Sequence, residues 1–421
     1  MGQPGLLGIA HGSASSSRAV ASSLPSPYTP RFVSRLFHRI PTNLTTRSLV
    51  EAFHSAPTSN VFLVSIAKGH VRTTALRSSR LDCTQVHGRP SSHWRCGFDA
   101  WQRFKRFEYY LYHAAQQAAL PELLLLVDMD EVADEMLTDS RGSPLPKFGT
   151  GRSSCSGTIP VPFPVKGFGA LDLLEKLKHA GDGWRRELVP WTRRERRALW
   201  RGCSRRFSSD SCVPSGANWS LHPRSRLVAL GAREPTLLDA AFTAHDQHMP
   251  RRLGAKLSGG RPLAAPMPFT GMSAYRYLLA VDGHGWQASL ASKLMLGSVV
   301  ISVRSRFALW FEGLLRHDEH VVRVSPSLAD LPAAVRGLQA DDAAARRIAR
   351  RGAALIELLL TERHLVGYVR QLLERYATHF VSETAAAPSA LRLYHSLCRE
   401  RQRFFCTHSW PGRPPQFDSR S

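Results

Sequence analysis

Residues Tyr275 to Val303 read YRYLLAVDGHGWQASLASKLMLGSVVISV. Tyr275 to Val281 is an apolar run of strand length. Asp282-Gly283-His284-Gly285 is a tight turn, and Trp286 to Leu296 has the spacing of a helix. Gly297 stops that helix, and Ser298 to Val303 is a second, β-branched strand. Strand, turn, helix and strand in about thirty residues form a βαβ unit, which places the chain in the α/β class.

The same grammar extends in both directions. Downstream, Phe307 to Leu315 reads as a helix, His320 to Val324 as a strand and Leu331 to Gln339 as a helix. Ala343 to Leu360 and His364 to Tyr376 read as longer amphipathic helices, and residues 385–421 as one helix and a tail. Upstream, Phe98 to Ala119 places Phe104, Phe107, Tyr110 and Leu111 at helical spacing. After Pro121 comes a buried-type strand, Leu123 to Val127, which runs into Asp128-Met129-Asp130-Glu131. Val61 to Val64 is a further strand, residues 138–168 a loop rich in Gly, Ser and Pro, and Leu171 to His179 a short helix. Arg185 to Arg206 holds nine Arg against Glu187 and Glu195, and reads as a solvated helix face or an anion-binding rim. Residues 1–45 read as a disordered tail.

Composition narrows the classes. The chain has 421 residues, of which 43% are hydrophobic, enough for a sizeable core. No apolar run approaches the roughly 20 residues of a membrane-spanning helix. The net charge of +23 comes from 56 Lys and Arg against 33 Asp and Glu, a balance that favours nucleic acid, anionic glycans, phosphate-bearing small molecules or acidic lipid. Seven Cys are too few for a disulfide scaffold, but Cys83 and Cys96, Cys203 and Cys212, and Cys398 and Cys406 lie close in sequence. Short-loop disulfides in an oxidising lumen and buried thiols are both compatible with that spacing. Sequons at Asn43 and Asn218 agree with a lumen, whereas Gly5 to Ala10 lacks the basic flank of a signal peptide.

Three features carry chemistry. Gly283-x-Gly285-x-x-Ala288 lets backbone approach a phosphate between a strand and a helix N-terminus. Ser302-Val303-Arg304-Ser305-Arg306 lacks the acid an NAD site needs on the next strand, while its two Arg could suit the 2′-phosphate of NADP. Arg201-Gly202-Cys203-Ser204-Arg205-Arg206 offers guanidinium groups to a diphosphate, or is a solvated basic turn. Asp128-x-Asp130 can hold a divalent cation, supply a general base, or cap a helix. No phosphate loop, H-E-x-x-H or G-x-S-x-G occurs.

In their order, these blocks resemble glycosyltransferase family 90, the capsule-associated and Rumi-like protein O-glucosyltransferases. The resemblance rests on Asp130, Trp200-Arg201-Gly202, Tyr275-Arg276-Tyr277-Leu278 with Asp282-Gly283, and Gly297-Ser298-Val299-Val300. Trp310-Phe311, His320, Leu328-Ala329-Asp330-Leu331 and the helix with Arg346 to Gly352 continue it, as far as Tyr368 to Tyr376. It implies a GT-B type fold with two facing Rossmann-like domains and a cleft between them. The domains expected are 46–187, carrying the base, and 188–376, binding the UDP-sugar, with 377–421 as a C-terminal helix and tail. It implies inverting transfer from a UDP-sugar, glucose or xylose, to a protein or glycan hydroxyl, without a metal or other cofactor. Asp130 takes the place of the catalytic base. Donor contacts carry over to Arg201, Cys203, Arg205 and Arg206, and to Gly283, His284, Gly285, Trp286, Gln287 and Ser289. It also implies an endomembrane, luminal or secreted glycoprotein, with no nucleic-acid partner.

The chain departs from the pattern at Ser289, where many members place an Arg, and at Leu309, where members often place an acid. Arg205, Arg206 or Lys293 are the candidates to replace the missing Arg. Two other readings follow from the same residues. One is a glycan-binding relative without turnover; the other is a basic nucleic-acid-binding protein, which a steep salt dependence would mark.

Overall fold

The computed structural model describes residues 27–38, 40–56, 61–76, 98–117, 120–129, 137–153, 157–162, 183–204, 219–245, 250–283, 285–380, 389–400 and 404–408. Two sheets organise them. The first contains β1 (Val61–Ala67), β2 (His70–Leu76), β3 (Leu123–Asp128), β4 (Lys147–Gly149), β6 (Thr158–Pro160) and β13 (Phe404–His408), in the order β13-β2-β1-β3-β4-β6. Between β4 and β6 in the chain lies the two-residue β5 (Arg152–Ser153). β1 and β3 are buried along their whole length, as continuous apolar runs covered on both faces should be. Lys68 and Gly69 have φ of 51° and 74°, the left-handed pair that a two-residue hairpin between β1 and β2 requires.

This first sheet is mixed. β1 runs antiparallel to β2 and β3, whereas β3, β4 and β6 are parallel. Helix Glu362–Ala377 packs beside it, with Tyr376 Oη donating to the Leu124 carbonyl at 3.0 Å and Tyr368 Oη to the Pro160 carbonyl at 2.8 Å. Helix Phe98–Gln117 buries Phe104, Phe107 and Leu111 in the same core.

Both ends of the chain hold more structure than periodicity indicated. The tail expected over residues 1–45 gives way to helix Pro30–Leu36, capped by Thr29. Tyr28 is 2% exposed and packs against Tyr368 and Trp310. At the other end helix Ala390–Arg399 is followed by β13, an edge strand of the first sheet. A Cys398–Cys406 disulfide staples the two. That pairing fits the short-loop reading of the cysteines.

The second sheet is wholly parallel: β7 (Glu195–Cys203), β8 (Leu238–Ala244), β9 (Tyr275–Ala280), β10 (Val299–Val303) and β12 (Val322–Val324), in the order β12-β10-β9-β7-β8. The βαβ unit read from Tyr275 to Val303 is β9, helix Leu290–Met295 and β10. Its helix starts later than the expected Trp286, because Trp286 and Gln287 are taken up by tertiary contacts described below. The described part of the Arg185 to Arg206 span is two short 3-10 turns followed by β7 rather than one helix, and its arginines act partly as internal staples. Buried Arg194 donates to the Gly297 carbonyl at 2.7 Å and the Ser298 hydroxyl at 2.9 Å. Phe307 to Leu315 is not a helix. β11 (Phe307–Ala308) pairs antiparallel with β5, and a 3-10 turn covers Glu312–Leu314. The Leu171 to His179 segment lies outside the described residues.

Gly352, in helix Asp342–Leu359, lets that helix touch the loop before β12. A Cβ there would meet the His320 carbonyl oxygen and, at 2.9 Å, the Leu294 side chain. A backbone oxygen cannot swing aside. Gly352→Ala is therefore expected to cost about 1–3 kcal/mol by overpacking, more than the ~1 kcal/mol alanine gains in a helix. A thermal melt checks this; an unchanged or higher midpoint would show that the two segments are not pressed together.

Candidate active site

The chain leaves β7 through helix Pro223–Arg233 to β8 on one side, while β9 lies on the other side of β7. The strand order reverses there, so the carboxyl ends of β7 and β9 flank a topological switch point, where open α/β sheets bind ligands. The described residues at those ends are Cys203 and Ser204, and Asp282, Gly283 and Gly285.

Arg224 spans the switch point. Its Nε donates to the Asp282 carbonyl at 2.7 Å and its Nη1 to the Cys203 carbonyl at 2.8 Å. Its guanidinium lies over the Trp200 ring, 5.7 Å from the centroid. Gly283 makes this possible: a Cβ at that position would sit 2.8 Å from Arg224 Nη2. Arg224 stands in an ordinary helical first turn that no sequence motif marks, and gains its position from tertiary packing. Gly283→Ala is expected to displace the end of the Arg224 side chain rather than the backbone, and to lower the melting temperature by a few degrees. Moving that side chain disturbs charge-assisted hydrogen bonds worth about 1.5–3 kcal/mol. On the expectation that this turn takes a UDP-sugar, the affinity for UDP should fall about tenfold or more in a titration, and an unchanged affinity would separate Arg224 from the ligand.

The expected donor residues divide into several environments. Gln287 is buried, donating to the Val303 carbonyl at 2.5 Å and accepting from the Ser302 hydroxyl at 2.9 Å. Trp286 is buried against the first half of the chain: a Cβ on Gly151 would lie 2.8 Å from its indole. Gly285 is buried beside it, and Ser289 precedes the first turn of helix Leu290–Met295, where its carbonyl accepts from Ser292 Oγ at 3.3 Å. Cys203 stands at the switch point, its thiol donating to the Ser204 carbonyl at 3.4 Å. Arg201 is drawn back toward the amino ends of the strands. It donates to Asp239 Oδ1 at 2.8 Å, and Asp239 also accepts from Tyr275 Oη at 2.6 Å. Asp130, Arg205, Arg206 and His284 lie outside the described residues.

Two acids and a lysine are buried around the turn. Asp282 accepts from Ser305 Oγ at 2.6 Å, and burial pushes its carboxyl up to about 6, against the Ser305 and Gln287 hydrogen bonds and the nearby Arg224 and Arg306. Burial lifts Glu312 to about 7, with the Leu309 N–H opposing and Asp282 adding to the rise. The Glu312 carboxylate accepts from that Leu309 N–H at 2.9 Å. Lys293, a candidate to replace the absent Arg, points inward instead. Its ammonium donates to the Leu279 carbonyl at 2.6 Å, and burial, then Arg224, lowers it to about 7.

On the first sheet, Asp128 ends β3 and is 5% exposed. Its carboxylate accepts from Lys147 Nζ at 2.8 Å, a buried ion pair between β3 and β4. Arg103 donates to the Met129 carbonyl at 3.0 Å, so a second cation holds the chain immediately before Asp130. Asp128 pairs with Gly149 in register, and Gly151, two residues on, carries the Trp286 contact. The carboxyl ends of β3 and β4 therefore converge on the turn after β9.

Comparison with known proteins agrees in kind. The model of glycosyl transferase family 90 matches residues 118–411. Protein O-glucosyltransferase 3 of Rattus norvegicus is 33% identical over 168 residues, 39% of this chain and 31% of that protein. Protein O-glucosyltransferase 1 of Rattus norvegicus is 25% identical over 217 residues, 51% of this chain and 49% of that protein. Uncharacterized protein 035R of Invertebrate iridescent virus 3 is 27% identical over 206 residues, 46% of this chain and 18% of that protein. The chain thus spans about half or less of the length of the curated relatives it matches. Among solved structures, a sucrose-phosphate synthase from Thermosynechococcus elongatus is similar at 15% identity and a TM-score of 0.31, covering 53% of this chain and 54% of its own, too low to bear on the fold.

Proposed function

Since the chain belongs to glycosyl transferase family 90, we propose that it is an inverting glycosyltransferase. It moves a sugar from a UDP-sugar to a hydroxyl of a protein or glycan acceptor. The observation that carries this reading is the Gly151–Trp286 contact, which brings the carboxyl ends of β3 and β4 against the switch point of the parallel sheet. A base after β3 and a donor at β7 and β9 then share one cleft, in a GT-B type arrangement.

The chemistry needs two things. Asp130 takes the proton of the acceptor hydroxyl as its oxygen attacks the anomeric carbon from the face opposite UDP. The bond from that carbon to the UDP oxygen breaks, and UDP leaves with the electron pair. Cationic groups must meet the charge that develops on the diphosphate. Arg224 at the switch point, with Arg205 and Arg206 on the segment after β7, would supply it. The turn from Gly283 to Ser289, with His284, Gly285, Trp286 and Gln287, forms the donor wall, and Cys203 closes it from β7. Arg201 acts at one remove, by fixing β7 against Asp239 on β8. No metal takes part.

Glucose is the first donor to try, because two of the similar proteins bear the name protein O-glucosyltransferase; xylose is the second. The Cys398–Cys406 disulfide and the sequons at Asn43 and Asn218 support a place in the endoplasmic reticulum or Golgi lumen, or outside the cell. The test is UDP release from a panel of UDP-sugars, with and without EDTA. Turnover of one donor, unaffected by the chelator, is expected. Failure to turn over or bind any UDP-sugar would sink the reading in favour of a relative without catalysis.

A further inference from the structure

Helix Asp342–Leu359 buries Ala345, Ile348, Ala349, Gly352, Ala353 and Ile356. Its opposite face reads Arg346, Arg347, Arg350 and Arg351, all exposed, with exposed Ala343 and Ala354 at either end. Among the described residues none of the four is in an ion pair. Arg351 faces Glu319 and His320 electrostatically, and Arg316, whose side chain is 75% exposed, joins the same edge through Glu319. The loop before β12 is mixed in charge, with Arg316 paired to Glu319 and Asp318 exposed beside them, so the cationic face is that of the helix itself. That loop leads into the amino end of β12, and the sheet is parallel, so this face lies away from the carboxyl-end crevice. The proposed sugar transfer makes no use of it.

We infer that this arginine face is a docking surface for an acidic segment of polypeptide in extended conformation. Arg346 and Arg350, and Arg347 and Arg351, form two rows with a step of about 6 Å along the helix axis. Alternate side chains of an extended strand recur at about 6.6 Å, so acids at every second position meet successive guanidinium groups. Arginine forks take carboxylates bidentately, a geometry lysine cannot copy. The face does not suit a membrane, because the apolar stripe of the helix is spent on the core and an interfacial helix needs that stripe free. It does not suit nucleic acid either: two steps of arginine are short beside the roughly 6–10 phosphate contacts of a typical binder. The inference is independent of the proposed transfer reaction.

The test uses the full chain and a fluorescein-labelled peptide of alternating Glu and Ser, followed by anisotropy at two salt concentrations. A Gln-Ser peptide, phosphatidylserine vesicles and a DNA duplex serve as competitors. The wild type should bind the Glu-Ser peptide in preference to all three. Replacing the four residues together, Arg346→Gln, Arg347→Gln, Arg350→Gln and Arg351→Gln, should weaken binding roughly tenfold, from four exposed pairs. The corresponding four Arg→Lys changes should fall between. UDP release and the melting temperature should stay at wild-type values in both variants, which separates a lost docking face from a damaged fold or a failed transferase reading. Equal affinity in the Gln variant, or stronger binding to vesicles or duplex than to the peptide, would overturn the inference.

Discussion

Asp130→Asn should reduce UDP release from the preferred UDP-sugar by about 10²–10⁴-fold, the contribution of a positioned general base. Asn keeps the size and hydrogen-bonding reach of Asp but cannot accept a proton. The acceptor hydroxyl then has to attack without losing its proton in the transition state. UDP binding should change little, because the cationic groups of the donor crevice are on the other sheet. Loss of turnover with unchanged UDP affinity is the signature expected for a group that acts in the transition state. Full activity in the variant would move the base elsewhere. The Asp128-x-Asp130 pair offers no simple substitute, since the Asp128 carboxylate is buried and already accepts from Lys147.

The second large effect concerns that ion pair. Lys147→Met removes the cation and leaves the Asp128 carboxylate in a position 5% exposed. Breaking one side of a buried pair costs about 3–5 kcal/mol, because the remaining charge is desolvated without its partner. Denaturant unfolding should show that loss. The double change Asp128→Asn with Lys147→Met should recover most of it, since no charge is then buried. Activity in the single variant should fall as well, because the pair ties the end of β3, two residues before Asp130, to β4. A single variant as stable as the wild type would mean that water reaches the carboxylate.

The parallel sheet was legible because its strands are long apolar runs, separated by glycine turns and apolar-faced helices. β9 and β10 lie where the pattern put them. Helices Leu331–Ala340, Asp342–Leu359 and Glu362–Ala377 do too, since an apolar stripe at helical spacing can only be buried one way. Phe307 to Leu315 misled for a local reason. Its apolar residues suit a helix, but Phe307 and Ala308 are claimed by pairing with β5, and the Glu312 carboxylate takes the Leu309 N–H. Trp286 and Gln287 misled in the same way, one packed on Gly151 and the other bonded to β10. β13 carries no periodic signal of its own, and joins the sheet by pairing with β2.

By itself, then, the sequence determined the α/β class, the βαβ unit around Gly283, the acids after β3 and the family, because each is written in residues close together in the chain. Only the tertiary structure decided which charges face the crevice and which are spent inside the protein. Arg224 reached the switch point, while Arg201 turned back to Asp239 and Lys293 was buried on the Leu279 carbonyl. The physical reason is that a charged side chain follows whichever partner packing brings within reach, and those partners lie 14 to 58 residues away along the chain.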